Sequence, residues 1–368
     1  MGLELADIFR RYGNSYRQKY STRMPSTHLK AMRAIEHCRT EALGGQVYRC
    51  PDCEQVQYSY HSCRNRHCPK CQNENAQAWL EKQQALLLPM PYFLLTFTVP
   101  AEFNTVARRY QSSFYDLLFK TSAAATQQLA QDPRFIGGLI GMVGVLHTWG
   151  RNLAYHPHIH YLVPAGGLAP DGTTWLAAHR PFLLPVRALS RIFRGKLRDA
   201  LRGTPYQKSI PSKVWQQEWV VHCEPVGSGL GALKYLAPYI FRVAISNNRI
   251  LKLENERVTF RYRDTDSGVE KRCTLEAEEF IHRFLQHVLP RGFVKVRYYG
   301  LFSPGKRKTL AALRQRLTKD ADALPSEDTE EHSRSTTPGS PAQPHLCPVC
   351  GRPMQPGAFL QPTGLSPP

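Results

Sequence analysis

The chain has 368 residues and a formal net charge of +19, with 48 Lys and Arg against 29 Asp and Glu and a pI near 9.6. At 42% hydrophobic residues it carries enough apolar material for a sizeable core and more than one domain, which excludes a wholly disordered polycation. No apolar run reaches the ~18 residues of a membrane span and the N-terminus lacks a signal-peptide core, so the expectation is a cytosolic bacterial protein with no membrane partner.

Residues 1–35 read as amphipathic helix. Residues 36–72 then hold six of the ten cysteines. Cys50-Pro-Asp-Cys53 and Cys68-Pro-Lys-Cys71 are two Cys-x-x-Cys knuckles separated by fourteen residues. Knuckles of this type turn sharply enough for both thiolates to face one tetrahedral ion, so Cys50, Cys53, Cys68 and Cys71 are expected to bind a structural Zn²⁺ in a zinc-ribbon-like domain. Disulfides are the alternative, disfavoured in a reducing compartment. Cys38, Cys63 and His67 stand nearby as a second ligand set or as substitutes in the first; the plain reading of the two cysteines is small buried residues. Arg64 and Arg66, between the knuckles, suit a DNA backbone.

A helix is expected over 73–88, ended by Pro89, then a strand from Tyr92 to Val99 and one long helix from Pro100 to Asp132-Pro133. Ile140–Thr148 and His158–Val163 read as two strands of a hairpin, followed by a break at Gly166 and Gly167. A basic helix over 187–202, a strand over 215–222, a helix over 230–246, a strand over 258–263, a helix over 275–288 and a strand over 293–299 complete the folded part. A short basic helix follows over 309–317, and beyond about Asp320 the chain turns Pro-, Ser-, Thr- and Glu-rich and is expected to be disordered. A third knuckle, Cys347-Pro-Val-Cys350, lies in that tail with two ligands of its own and reads as a degenerate or truncated finger; completion by His345 or another chain is the alternative. The expected architecture is α+β: a zinc-binding domain over 1–90, a domain over 91–303 built on a central antiparallel sheet, a basic helix over 304–319 and a tail over 320–368.

Two constellations carry chemistry. His147, His156, His158 and His160 fall within fourteen residues. Alternate residues of a strand share a face, so His158 and His160 can share an ion, and His147 on the preceding strand can supply a third ligand across the ladder. Three protein ligands leave positions open for water and a phosphate oxygen, and Mg²⁺ or Mn²⁺ is the inferred ion. Solvated or core histidines are the alternative. Tyr235 and Tyr239 stand four apart, on one face of a helix and about 6 Å from each other, with Lys234 and Arg242 beside them and Pro238 between. Each pattern alone is near chance level; their order along the chain gives them weight.

The positive charge points to nucleic acid. From Arg291 to Lys319 there are nine Lys or Arg, Lys306, Arg307 and Lys308 among them, and no Asp or Glu, with Phe293, Tyr298, Tyr299 and Phe302 interleaved. Basic groups track phosphates while aromatic faces stack on bases.

The segments CRNRHCPKCQ, HPHIHYLVPAGG and KYLAPYIFRVAISNNRI, in that order, resemble the rolling-circle insertion-sequence transposases of the IS91 type, within the HUH endonucleases named for His-hydrophobic-His. The resemblance runs from about residue 10 to residue 317. It implies a zinc-binding N-terminal domain and a nuclease domain like that of rolling-circle replication initiators. His158 and His160 correspond to the HUH pair, Tyr235 and Tyr239 to the catalytic tyrosines, and His147 to the third histidine of relaxases. It further implies attack by tyrosine on single-stranded DNA at transposon ends, a 5′-phosphotyrosine intermediate, rejoining at a target, and host replication proteins as partners. A plasmid replication initiator or relaxase shares this chemistry but lacks the zinc segment. A non-catalytic zinc-dependent DNA-binding regulator is the reading outside enzymes.

Overall fold

A computed structural model describes residues 2–71, 79–81, 83–84, 86–178, 182–228, 231, 240, 243–264, 267–322 and 345–363. Helices α1 (Leu5–Tyr20) and α2 (Ser26–Glu36) form the expected amphipathic pair. The hairpin β1 (Gly45–Arg49) and β2 (Val56–Tyr60) follows, with Cys50 and Cys53 in its turn. Next come β3 (Pro91–Thr98), α3 (Asn104–Arg109), α4 (Gln111–Ala130), β4 (Gly141–Trp149), β5 (Tyr155–Pro164) and the small pair β6 (Gly166–Leu168) and β7 (Trp175–Ala177). Helix α5 (Val186–Leu201) leads to β8 (Val221–Ser228). Strands β9 (Ile250–Glu254), β10 (Arg257–Arg263) and β11 (Glu270–Glu276) precede α6 (Ala277–Leu285), β12 (Val296–Gly300) and α7 (Arg307–Asp322). Finally β13 (Gln355–Leu360) returns to pair with β1.

The core of the molecule is a five-stranded sheet in the order β12-β4-β5-β3-β8, antiparallel throughout, as the α+β reading expects. Its strands are apolar on both faces because helices cover both. Phe93, Leu95, Phe97, Ile159 and Tyr161 pack with α4 and α5. Leu94, Val143, Val145 and Leu162 pack on the other side with Leu88, Ile240 and Leu310 of α7. Gly144 fixes the centre of the first face. A side chain there would meet the Tyr161 ring at 2.5 Å, and that ring is fully buried with its hydroxyl donating to the Phe119 carbonyl at 3.2 Å. The ring lies across the glycine because Gly144 and Tyr161 are direct partners between β4 and β5.

The N-terminal helices do not close a core alone. Phe9 meets Phe284 of α6 edge to face at 5.5 Å, and Ile8, Met32, Cys38 and Cys68 share one apolar cluster with Phe260 and Phe280.

Several expectations shift. The long helix breaks at Tyr110, whose backbone leaves helical geometry while its ring packs on Tyr206 at 4.7 Å. The strand expected over 215–222 begins at Val221. Trp215 and Trp219 instead stack on each other at 5.6 Å and both meet Phe103, so their four-residue spacing served the core rather than a sheet. Residues 270–276, read in part as helix, form β11, and the helix starts at Ala277. Strands β9 and β11, with polar outer faces, went unread. Residues 345–363 are folded rather than disordered, because β13 is held by β1. Half of the helix expected over 73–88 and most of that expected over 230–246 fall outside the described residues, as does 323–344.

Candidate metal centres and nuclease site

The cysteines pair differently from the spacing argument. Cys68 and Cys71 meet Cys38 and Cys63, with sulfurs 3.5 Å apart for Cys38–Cys71 and 3.6 Å for Cys63–Cys71. Cys50 and Cys53 stand apart from them and face Cys347 and Cys350. The expected set of Cys50, Cys53, Cys68 and Cys71 is therefore corrected, and hairpin length is the reason. Cys50 and Cys53 sit in the turn of a hairpin with five residues per strand, about 16 Å from its base at 3.3 Å per residue. Cys38 and Cys63 flank that base and are the cysteines within reach of Cys68 and Cys71. Four buried or half-buried thiols around one point suit a closed, structural Zn²⁺ site.

His67 is corrected as a candidate ligand. Its Nε2 accepts the Leu289 amide at 3.3 Å, and burial, with the Arg66 charge second, pushes the ring down to about 3, so it stays neutral. Arg66, expected to contact DNA, is exposed and also has partners within the fold. Its guanidinium donates to the carbonyls of Phe293 at 2.7 Å and Pro290 at 2.8 Å, tying the zinc segment to the start of β12. Arg64 is exposed, in left-handed backbone at φ 51°.

The histidines converge as the strand argument predicts. His147 and His158 are direct partners between β4 and β5, and His160 follows two residues along the same face. One ring nitrogen from each lies within 4.8 Å of the others. The His158 Nδ1 donates to the His156 carbonyl at 2.7 Å, which leaves Nε2 as its lone-pair nitrogen. Burial pushes His158 down to about 4, so it is neutral at physiological pH, the form a metal requires. The His160 Nδ1 is bonded to Thr96 Oγ1 at 2.9 Å, across the ladder to β3. A ring donating from Nδ1 again presents Nε2 to the shared point. Partners of this kind fix tautomer and orientation and raise ligand basicity. His147 is 3% exposed and stacked on Trp149 at 4.7 Å, which locks its ring. The donor set fits a divalent ion with open positions.

Several groups around the histidines were missed in the sequence. Thr96 is one. His222 and Glu224 on β8 are two more, since His222 pairs with Thr96 and Glu224 with Leu94, placing both on the histidine face. Lys295 is a fourth. Its Nζ lies 5.2 Å above the Trp149 ring and donates to the Ile240 carbonyl at 2.9 Å. Burial, with the Arg66 charge second, pushes that amine down to about 7. Register would have signalled Thr96; nothing local marks Lys295.

Tyr235, Tyr239, Lys234 and Arg242 lie outside the described residues. Ile240, next in the chain to Tyr239, packs on Val143, Val145 and Leu162, the face that also carries the histidines. Lys306, Arg307 and Lys308 are exposed where α7 begins, with Arg307 lying 5.5 Å over the Tyr298 ring. Among the described residues no helix is long and apolar enough to cross a membrane.

Comparison with known proteins agrees with this layout. Residues 8–99 match the family model "Transposase zinc-binding domain" of the IS91 type, and residues 141–309 match the model described as "Putative transposase". A Sinorhizobium fredii protein named "Putative transposase y4qJ" is 42% identical over 346 residues, covering 89% of this chain and 87% of its own. The "Transposase for insertion sequence element IS801" of Pseudomonas savastanoi pv. phaseolicola is 29% identical over 289 residues, covering 72% of this chain and 68% of its own. No solved structure matches the chain. With a zinc-binding segment ahead of a transposase segment, and a relative of this identity along nearly its whole length, the chain belongs to the IS91 family of transposases.

Proposed function

We propose that this transposase cuts and rejoins single-stranded DNA at transposon ends by tyrosine attack, with Tyr235 and Tyr239 as nucleophiles and His147, His158 and His160 as holders of Mg²⁺ or Mn²⁺. The observation that carries the reading is the convergence of three imidazoles on one sheet face, within 4.8 Å of one another, with Nδ1 of both His158 and His160 already engaged. A divalent ion held there would polarise the scissile phosphate and offset the charge that develops on it.

The protein's own groups do the rest. A tyrosine oxygen attacks phosphorus, the bond from phosphorus to the 3′ oxygen breaks, and the chain retains a 5′-phosphotyrosine. The released 3′ oxygen takes up a proton, and the tyrosine gives up its own, which an ordinary pKa near 10 makes the harder half of the exchange. The ester retains the bond energy, so a free 3′-OH can reverse the step at a new junction without ATP. Two tyrosines let one chain hold one strand end while cutting another, the requirement of rolling-circle transposition, in which host replication proteins in the cytoplasm displace the strand. Arg64, Lys234, Arg242, Lys306, Arg307 and Lys308 would track the backbone.

The test is covalent capture. The protein is incubated with labelled single-stranded transposon-end DNA and Mn²⁺, then denatured. A denaturant-resistant adduct is expected from wild type and none from Tyr235→Phe/Tyr239→Phe. An adduct that survives both substitutions, or no adduct from wild type, would overturn the mechanism.

A further inference from the structure

We propose that Cys50, Cys53, Cys347 and Cys350 form a second zinc site, distinct from the Cys38, Cys63, Cys68 and Cys71 set, which fastens the C-terminal segment to the N-terminal hairpin. Two of its ligands lie far outside residues 8–99, where the zinc-binding family model matches.

The sulfur geometry is that of a tetrahedral cage. Cys50–Cys350 are 3.4 Å apart, Cys53–Cys347 3.5 Å and Cys53–Cys350 3.7 Å. Four sulfurs at about 2.3 Å from one zinc stand about 3.8 Å from each other, whereas a disulfide would bring a pair to about 2.05 Å.

The backbone makes the same case independently, because the two knuckles are built alike. In the first, the Cys50 amide donates to the Gln55 carbonyl at 2.9 Å and the Glu54 amide to the Cys50 carbonyl at 3.1 Å. In the second, the Cys347 amide donates to the Arg352 carbonyl at 2.8 Å and the Gly351 amide to the Cys347 carbonyl at 2.9 Å. The residue after the second cysteine is left-handed in both, Glu54 at φ 57° and Gly351 at φ 74°. Such a turn aims both thiols of a knuckle to one side. For Glu54 that backbone is unfavourable without a compensating bond network, so the turn is held for what it presents.

The surroundings dock the knuckles together. β13 pairs with β1, Arg352 meets Asp52 at 2.7 Å, His345 packs on Tyr48 at 4.1 Å, and Met354 joins Cys50 and Cys347 in a small apolar cluster. Zinc binding would release the thiol protons to solvent and leave four thiolates on the ion. The site then links residues 300 positions apart in the chain.

The test counts zinc. Full-length protein purified under reducing conditions is expected to carry two zinc ions per chain by native mass spectrometry. Cys347→Ser/Cys350→Ser should retain one, and so should Cys63→Ser, through loss of the other ion. Cobalt reconstitution of the unsubstituted protein is the check that needs no variant. Two equivalents should each develop the visible absorption of a tetrahedral four-sulfur site. One zinc in wild type, two in Cys347→Ser/Cys350→Ser, a cobalt signal complete at one equivalent, or Cys50 and Cys53 recovered in disulfides with the tail would each overturn the proposal.

Discussion

Gly144→Ala offers a test of how the sheet core sets the histidine geometry. The added methyl would lie 2.5 Å from one carbon of the Tyr161 ring, 2.9 Å from a second and 3.1 Å from Phe119. Carbon atoms rest at about 3.5–4.0 Å, so about 1 Å must be found. Tyr161 cannot supply it by turning, because its hydroxyl is bonded to Ser122 Oγ at 2.8 Å and to the Phe119 carbonyl, and its ring is walled by Phe97. Strand β4 must therefore back away from β5, with an overpacking cost of about 1–3 kcal/mol. His147 is three residues further along the same strand, directly opposite His158. Ligand sets tolerate misplacement of only about 0.5 Å. Mn²⁺ affinity is thus expected to fall about tenfold or more, in the range seen when the support of a ligand is lost. Urea unfolding without metal reads the first quantity, and Mn²⁺ titration by electron paramagnetic resonance the second. A variant within about 0.5 kcal/mol of wild type, the range of an inert surface change, and with unaltered Mn²⁺ affinity, would refute the reasoning.

Other outcomes follow from the same geometry. Thr96→Val removes the Nδ1 partner of His160, and Mn²⁺ affinity should drop about 10–100-fold with little change in the urea midpoint. His287 is 2% exposed, bonded to Thr148 and Leu153, and pushed by burial down to about 4. Its neutral form is favoured in the fold, so its contribution is complete above an unfolded value near 6.5 and lost as pH falls from there toward 4. Unfolding free energy should decline over that window by about 3 kcal/mol from this ring at 1.36 kcal/mol per pKa unit, and His287→Gln should flatten the decline. Lys306→Ala, Arg307→Ala and Lys308→Ala should each weaken DNA binding and lower the salt slope by about one. Arg66→Ala should instead lower the melting temperature, because its hydrogen bonds go to Phe293 and Pro290.

What the sequence disclosed depended on the range of the interaction. His158 and His160 were readable because alternation along one strand is a local property, and His147 because the neighbouring strand follows directly. The cysteine grouping was misread because spacing along the chain stood in for distance in space. Gln46, Val47 and Tyr58, read as a hairpin, would have moved Cys50 and Cys53 to its far end. The partner knuckle at Cys347 and Cys350 was legible as a Cys-x-x-Cys pair, but nothing local ties it to cysteines some 300 residues earlier. Lys295 was hidden for the same reason, since its contacts with Trp149 and Ile240 exist only once β12 has paired with β4. Trp215 and Trp219 misled by chemistry, as aromatic residues favour strands but here fill a helix-side core.

The shared core of α1, α2 and α6 bears on how the protein is made. Phe280 and Phe284 seal the apolar cluster of the first helices, so that cluster stays open to water until nearly three hundred residues have left the ribosome. The cysteines at 38, 63, 68 and 71 are all translated far earlier. Those cysteines belong to the same apolar cluster as Phe280 and Phe284, so the stretch that carries them is a unit of sequence that shares its core with α6.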